Sequence, residues 1–115
     1  MKTRLSAPSV DSQCPVNHCI GLIGGKWKPV ILFCVANGVD RFGTMQRAIP
    51  SVTKQMLTQQ LRELESDGLL SRTVFPQVPP RVDYALTDRG RSILTVIDAM
   101  RTWGAADLAV REERS

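Results

Sequence analysis

Gln55, Thr58, Gln59 and Arg62 recur at spacings that put them on one side of an α-helix, with Leu57, Leu61 and Leu64 on the other. The outward set is two amides, a hydroxyl and a guanidinium, in place of the Glu/Lys mixture that keeps an ordinary helix soluble. These groups match the donors and acceptors that base edges present in a major groove: an amide pairs with adenine and a guanidinium with guanine. Thr53 is placed to cap the helix start, with Lys54 beside it for a phosphate, and Asp67-Gly68 to end it with Gly68 in the left-handed conformation.

A second candidate for chemistry is Cys14, which precedes Pro15 at the start of a helix. Free backbone N–H groups and the positive end of the helix dipole stabilise a thiolate there. Cys34 lies in an apolar run and reads as an inert core residue. Cys19 leaves both intramolecular and intersubunit disulfides open, and three cysteines do not make a secreted-type disulfide framework. Cys14, His18 and Cys19 are three soft metal ligands without an evident fourth, so no metal or other cofactor is expected. With one histidine, no Gly-rich phosphate loop and no nucleophile–base pair, no catalytic residue and no enzyme is expected.

The charge distribution points the same way as the helix face. Of the net +4, the segment from Arg41 to Arg62 carries Arg41, Arg47, Lys54 and Arg62 and no acid, whereas from Asp88 onward five cations and five acids balance. Arg41, Arg47 and Arg72 are as consistent with solvated cations as with DNA contacts.

The elements that must position these residues follow from caps and periodicity. A first helix runs from Pro15 to Ile23 and stops at Gly24-Gly25; a second spans about Trp27 to Val35; Phe42, Met45 and Ile49 mark a short third, and the reader helix follows the break at Ile49-Pro50-Ser51. Beyond Gly68 the period changes to two. Leu70 to Phe75 forms a strand, Pro76 to Pro80 a stiff loop, and Val82, Tyr84 and Leu86 the inward face of a second strand, with Arg81 at its start as a cation for the DNA backbone or minor groove. Thr87 caps a final helix carrying the stripe Ile93, Val96, Ile97, Met100 and Trp103. The expected fold is mainly α with a small β-hairpin, a winged helix-turn-helix. Residues 1–13 read as an arm, 14–111 as one domain and 112–115 as a tail. With no signal peptide and no apolar segment near the roughly 20 residues a bilayer requires, a cytoplasmic protein without membrane contact is expected.

This order of elements, with Cys14-Pro15-Val16, Ile23-Gly24-Gly25-Lys26-Trp27, Arg41-Phe42, the run from Leu57 to Leu69, Val78-Pro79-Pro80-Arg81-Val82-Asp83-Tyr84 and Leu86-Thr87, resembles the HxlR family of bacterial transcription regulators, relatives of the MarR group. The resemblance spans Cys14 to about Gly104. It implies a homodimer on a near-palindromic operator in double-stranded DNA, dimerising through its terminal helices. It also implies a sensing cysteine at Cys14 that answers an oxidant, quinone or aldehyde. Periodicity alone reads the last-helix stripe as intrachain core; the resemblance turns Ile93, Ile97, Met100 and Trp103, with Val16 of the first helix, toward a partner. Two other readings stay open: a winged-helix regulator answering a small ligand without thiol chemistry, and a protein-interaction winged helix.

Overall fold

A computed structural model describes residues 13–114. The helices are α1 (Pro15–Ile23), α2 (Lys28–Ala36), α3 (Phe42–Ala48) and α4 (Lys54–Ser66); strands β1 (Leu70–Phe75) and β2 (Arg81–Leu86) follow, then α5 (Asp88–Ser92) and α6 (Leu94–Arg114). The arm at residues 1–13 lies, except for Gln13, outside the described residues.

The core gathers where the apolar faces of the helices meet. Ile31, Leu32 and Val35 of α2, Met45 of α3, and Leu57, Leu61 and Leu64 of α4 are buried together with Ile23, Leu69, Leu70 and Ile97. The α4 leucines are one seam of that core, so the opposite face of the helix is free. Both ends of α4 are fixed by local chemistry. The Thr53 hydroxyl accepts from the Met56 N–H at 3.0 Å. At the other end Gly68 takes φ +76°, Gly68 N–H donates to Glu65 O at 3.0 Å and Leu69 N–H to Leu64 O at 2.9 Å, a Schellman closure with Leu64 and Leu69 in the core.

The hairpin is antiparallel, with Leu70 opposite Leu86 and Phe75 opposite Arg81. Its base is anchored: Leu70 is buried and Tyr84 and Leu86 pack against the core. Its tip projects, and every β1 residue beyond Leu70 is exposed. An isolated bridge between Arg41 and Asp83, with Tyr84 N–H donating to Asp40 O at 2.8 Å, ties the wing to the entry of α3.

Four sequence expectations need correction. Trp27 is the N-cap of α2 and not its first residue. The single last helix is two, because the hydroxyl of Thr87 caps only α5, and the chain re-enters a helix at Leu94 after a one-residue break at Ile93. The tail at 112–115 is helical as far as Arg114, since Arg111, Glu112, Glu113 and Arg114 are good helix formers that extend α6. Finally, the apolar stripe divides. Ile97 is 3% exposed and belongs to this chain's own core, and Ile93 is half-buried against the same cluster. Met100 and Trp103 further along α6 are exposed, Trp103 by 70%, as is Val16 of α1 by 60%.

Candidate nucleic-acid interface

Because Leu57, Leu61 and Leu64 fix the rotation of α4, the residues expected to read DNA emerge on its outer side. Thr53, Lys54, Gln55, Gln59 and Arg62 are exposed and Thr58 is half-buried. Their surroundings differ in ways that matter for recognition. Lys54, Gln55 and Arg62 form no side-chain hydrogen bond or ion pair among the described residues, so their donors are available. Thr58 donates its hydroxyl proton to Lys54 O at 2.9 Å, which leaves it to accept only. Gln59 donates from Nε2 to Glu63 Oε2 at 2.7 Å, and the other oxygen of Glu63 lies 2.7 Å from Lys28 Nζ.

Arg81 departs from expectation. It is half-buried and forms a two-pronged pair with Asp83, at 2.9 Å from Nε and 2.8 Å from Nη2, and its guanidinium lies 4.9 Å from the centre of the Phe75 ring. Asp83 also lies 3.7 Å from Arg41. The Arg81 hydrogen bonds, followed by the charges of Arg81 and Arg41, hold the Asp83 carboxyl below the usual carboxylate range. Arg81 is therefore a paired, neutralised side chain at the loop end of the wing rather than a free cation. Arg72 is likewise paired, 3.7 Å from Glu65. The unpaired part of the central basic segment reduces to Arg47, Lys54 and Arg62. Arg41 and Arg47 line one wall of a cleft of about 550 Å³ between α3 and the wing, with Gln77, Pro80 and Arg81 on the other.

The three cysteines are all free thiols. Cys14 stands at the N-cap position of α1 with its backbone extended, as expected, but its side chain is only 4% exposed. The thiol is therefore shielded, and reaction there asks for a small oxidant or a local opening around it. Cys34 is half-buried, and burial pushes its thiol pKa up, which disfavours the reactive thiolate. Lys26 lies 4.9 Å from the centre of the Trp27 ring and Lys28 is engaged with Glu63. No three of the His, Cys, Asp and Glu side chains come together as metal ligands among the described residues. No single described helix is long and apolar enough to cross a membrane.

The pairings of Lys28 with Glu63, of Glu63 with Gln59 and of Asp83 with Arg81 were not read from the sequence. Asp83 was findable, because positions two apart on a strand share a face and Arg81 precedes it by two. Lys28 carried a weaker signal: a lone cation at the head of the apolar run Pro29 to Val35.

The comparisons with known proteins agree with this geometry. Residues 22–112 match the family described as HxlR-like helix-turn-helix. An HTH-type transcriptional regulator of Methanothermobacter thermautotrophicus is 48% identical over 91 residues, which cover 79% of this chain and 70% of that protein. Among solved structures, the oxidized form of the redox regulator HypR superposes with a TM-score of 0.77 at 45% identity, covering 81% of this chain and 96% of that one. Its reduced form gives 0.79 at 43% identity, covering 86% and 98%. The chain thus belongs to the HxlR-like helix-turn-helix family of transcriptional regulators.

Proposed function

We propose that this protein is a homodimeric DNA-binding regulator that reads a near-palindromic operator with α4 and changes its binding on oxidation at Cys14. The observation that carries the DNA-binding part is the outer face of α4, where Gln55, Gln59 and Arg62 stand exposed over a fully buried leucine seam. One such helix reads only about half a turn of duplex, so useful specificity asks for two readers roughly 34 to 36 Å apart. The exposed apolar side chains Val16, Ile20, Met100 and Trp103 on α1 and α6 support a partner there, with Ile93 at the margin. The thiol part rests on the place of Cys14 at the start of α1 and on the likeness to HypR, a redox regulator solved in both states.

The test is fluorescence anisotropy with labelled DNA from upstream of the protein's own gene, with the protein reduced and then treated with a thiol oxidant, alongside Cys14→Ser. Specific binding that shifts with oxidant, and stops shifting in Cys14→Ser, supports both parts. Specific binding indifferent to oxidant discards the thiol part. If neither state prefers this DNA to an unrelated duplex, the protein-interaction reading takes its place.

The salt dependence of the same titration gives a further expectation. Each phosphate neutralised contributes about −0.9 to the slope of log K against log salt. Lys54→Ala in both protomers is expected to flatten that slope by about 2 and to weaken all sequences alike. A slope unchanged by the substitution would remove Lys54 from the phosphate contacts.

A further inference from the structure

The reader helix carries two acids, Glu63 and Glu65, and Glu63 is held from two sides. Glu63 uses its two carboxylate oxygens separately: Oε1 lies 2.7 Å from Lys28 Nζ, and Oε2 accepts from Gln59 Nε2 at 2.7 Å. Lys28 is 8% exposed, the one buried charged side chain among the described residues, while the Glu63 side chain is 41% exposed. The pair is thus rooted in the core on the lysine side and open toward the α4 surface on the glutamate side. Helix physics does not explain the lysine, because Lys28 is the first residue of α2, where the dipole disfavours a cation. Glu63 explains it.

We propose that Lys28 and Glu63 are positioning residues that fix the Gln59 amide in one orientation and thereby set which base it reads. The proposal rests on the reading of α4 as the DNA reader. A carboxylate can only accept, so the nitrogen end of the amide must face Glu63 and the oxygen end must face away. An unheld glutamine can present either end. The amide nitrogen has two hydrogens. One goes to Glu63; the other, beside Oε1, forms with that oxygen the donor–acceptor edge that matches N7 and N6 of adenine. Lys28 keeps the arrangement compatible with a phosphate-lined groove, because it neutralises an acid that would otherwise repel DNA. Its hydrogen bond, and that of Gln59, hold the Glu63 carboxyl below the usual carboxylate range, so Glu63 stays an acceptor.

The test starts from a pool of randomised duplexes selected on the intact protein, followed by anisotropy titrations of the selected duplex and its single-base variants. Gln59→Ala identifies the base pair that this residue reads. Glu63→Ala and Lys28→Met are each expected to lower discrimination at that base pair on the order of fivefold, the low end of a bidentate contact, and to leave the other positions unchanged. Thermal melts accompany each variant. Full discrimination retained in Glu63→Ala at the position that Gln59→Ala loses would overturn the proposal and leave Glu63 a brace between α2 and α4. Equal losses at every position, with a lowered melting temperature, would overturn it in the same sense. A wild-type protein that selects no sequence at all would sink the DNA-reading function itself, and this inference with it.

Discussion

Gln59→Ala combined with Arg62→Ala is expected to leave a folded protein that still binds DNA but no longer prefers its operator. Both side chains are exposed, and neither reaches into the leucine seam beneath, so stability is expected to change little. Each is capable of one bidentate base contact, worth roughly 1 to 3 kcal/mol of discrimination. In the proposed homodimer, two protomers would make four such contacts. Taken at the low end, the ratio of operator to mixed-sequence affinity falls on the order of a thousandfold. Mixed-sequence binding falls far less, since Arg47 and Lys54 remain to meet phosphates. Anisotropy titrations of the two DNAs at one fixed salt concentration measure the ratio. If both affinities fell together, the pair would be acting through phosphates, and sequence readout would have to move to Gln55 and Thr58.

That prediction could be framed from the residue pattern because α4 is locally specified. The leucines at 57, 61 and 64, the Thr53 hydroxyl and the Asp67-Gly68 ending all act within the helix, and each is found where its type and spacing put it. The hairpin was legible for a similar reason: prolines interrupt the ladder between Phe75 and Arg81, and the strand limits follow. The partners of the charges were not legible in the same way. Lys28 meets Glu63, and Asp83 meets Arg41, only because tertiary packing brings separate elements together. Arg81 was read as an unpaired cation for that reason too. A cation next to a stiff loop looks free until Asp83 and the Phe75 ring are placed beside it.

The apolar stripe of the last helix shows a different limit. Periodicity identifies a face but not what covers it, and here one face serves two purposes along its length. Ile97 fills the core, whereas Met100 and Trp103 further along stay exposed. The break at Ile93 was equally hidden, since neither proline nor glycine stands there. Its origin lies in how the start of the segment is seated. The Thr87 hydroxyl donates to Gly68 O at 2.6 Å and accepts from Gly90 N–H at 3.0 Å, and Arg89 donates to Asp67 O. These contacts pin α5 to the end of α4, and the helix starts again at Leu94 to bring Ile97 into the core.

Gly90 makes that seating possible, and Gly90→Ala is expected to be the most destabilising small substitution in the helices. Alanine in a helix interior normally gains about 1 kcal/mol over glycine. Here a Cβ would sit 2.1 Å from Leu69 O and 3.1 Å from Leu69 C, with Leu86 Cδ2 at 3.2 Å. The carbonyl cannot simply turn aside, because it accepts from Thr87 N–H at 3.2 Å and belongs to the residue that completes the closure of α4. Overpacking against fixed backbone is expected to outweigh the propensity gain and cost about 3 kcal/mol net, a fall in melting temperature on the order of 10 °C. Gly43→Ala is the control: its Cβ would meet only the flexible end of Arg47 at 3.7 Å, and no loss is expected. A Gly90→Ala protein that melted like the control would mean that α5 is not seated on Leu69. If it melts lower yet remains folded, the relief must come from α5 moving off the end of α4. The outer part of α6, which carries Met100 and Trp103, would move with it. In a dimer held there, the separation of the two readers would shift, so operator affinity should drop more than mixed-sequence affinity.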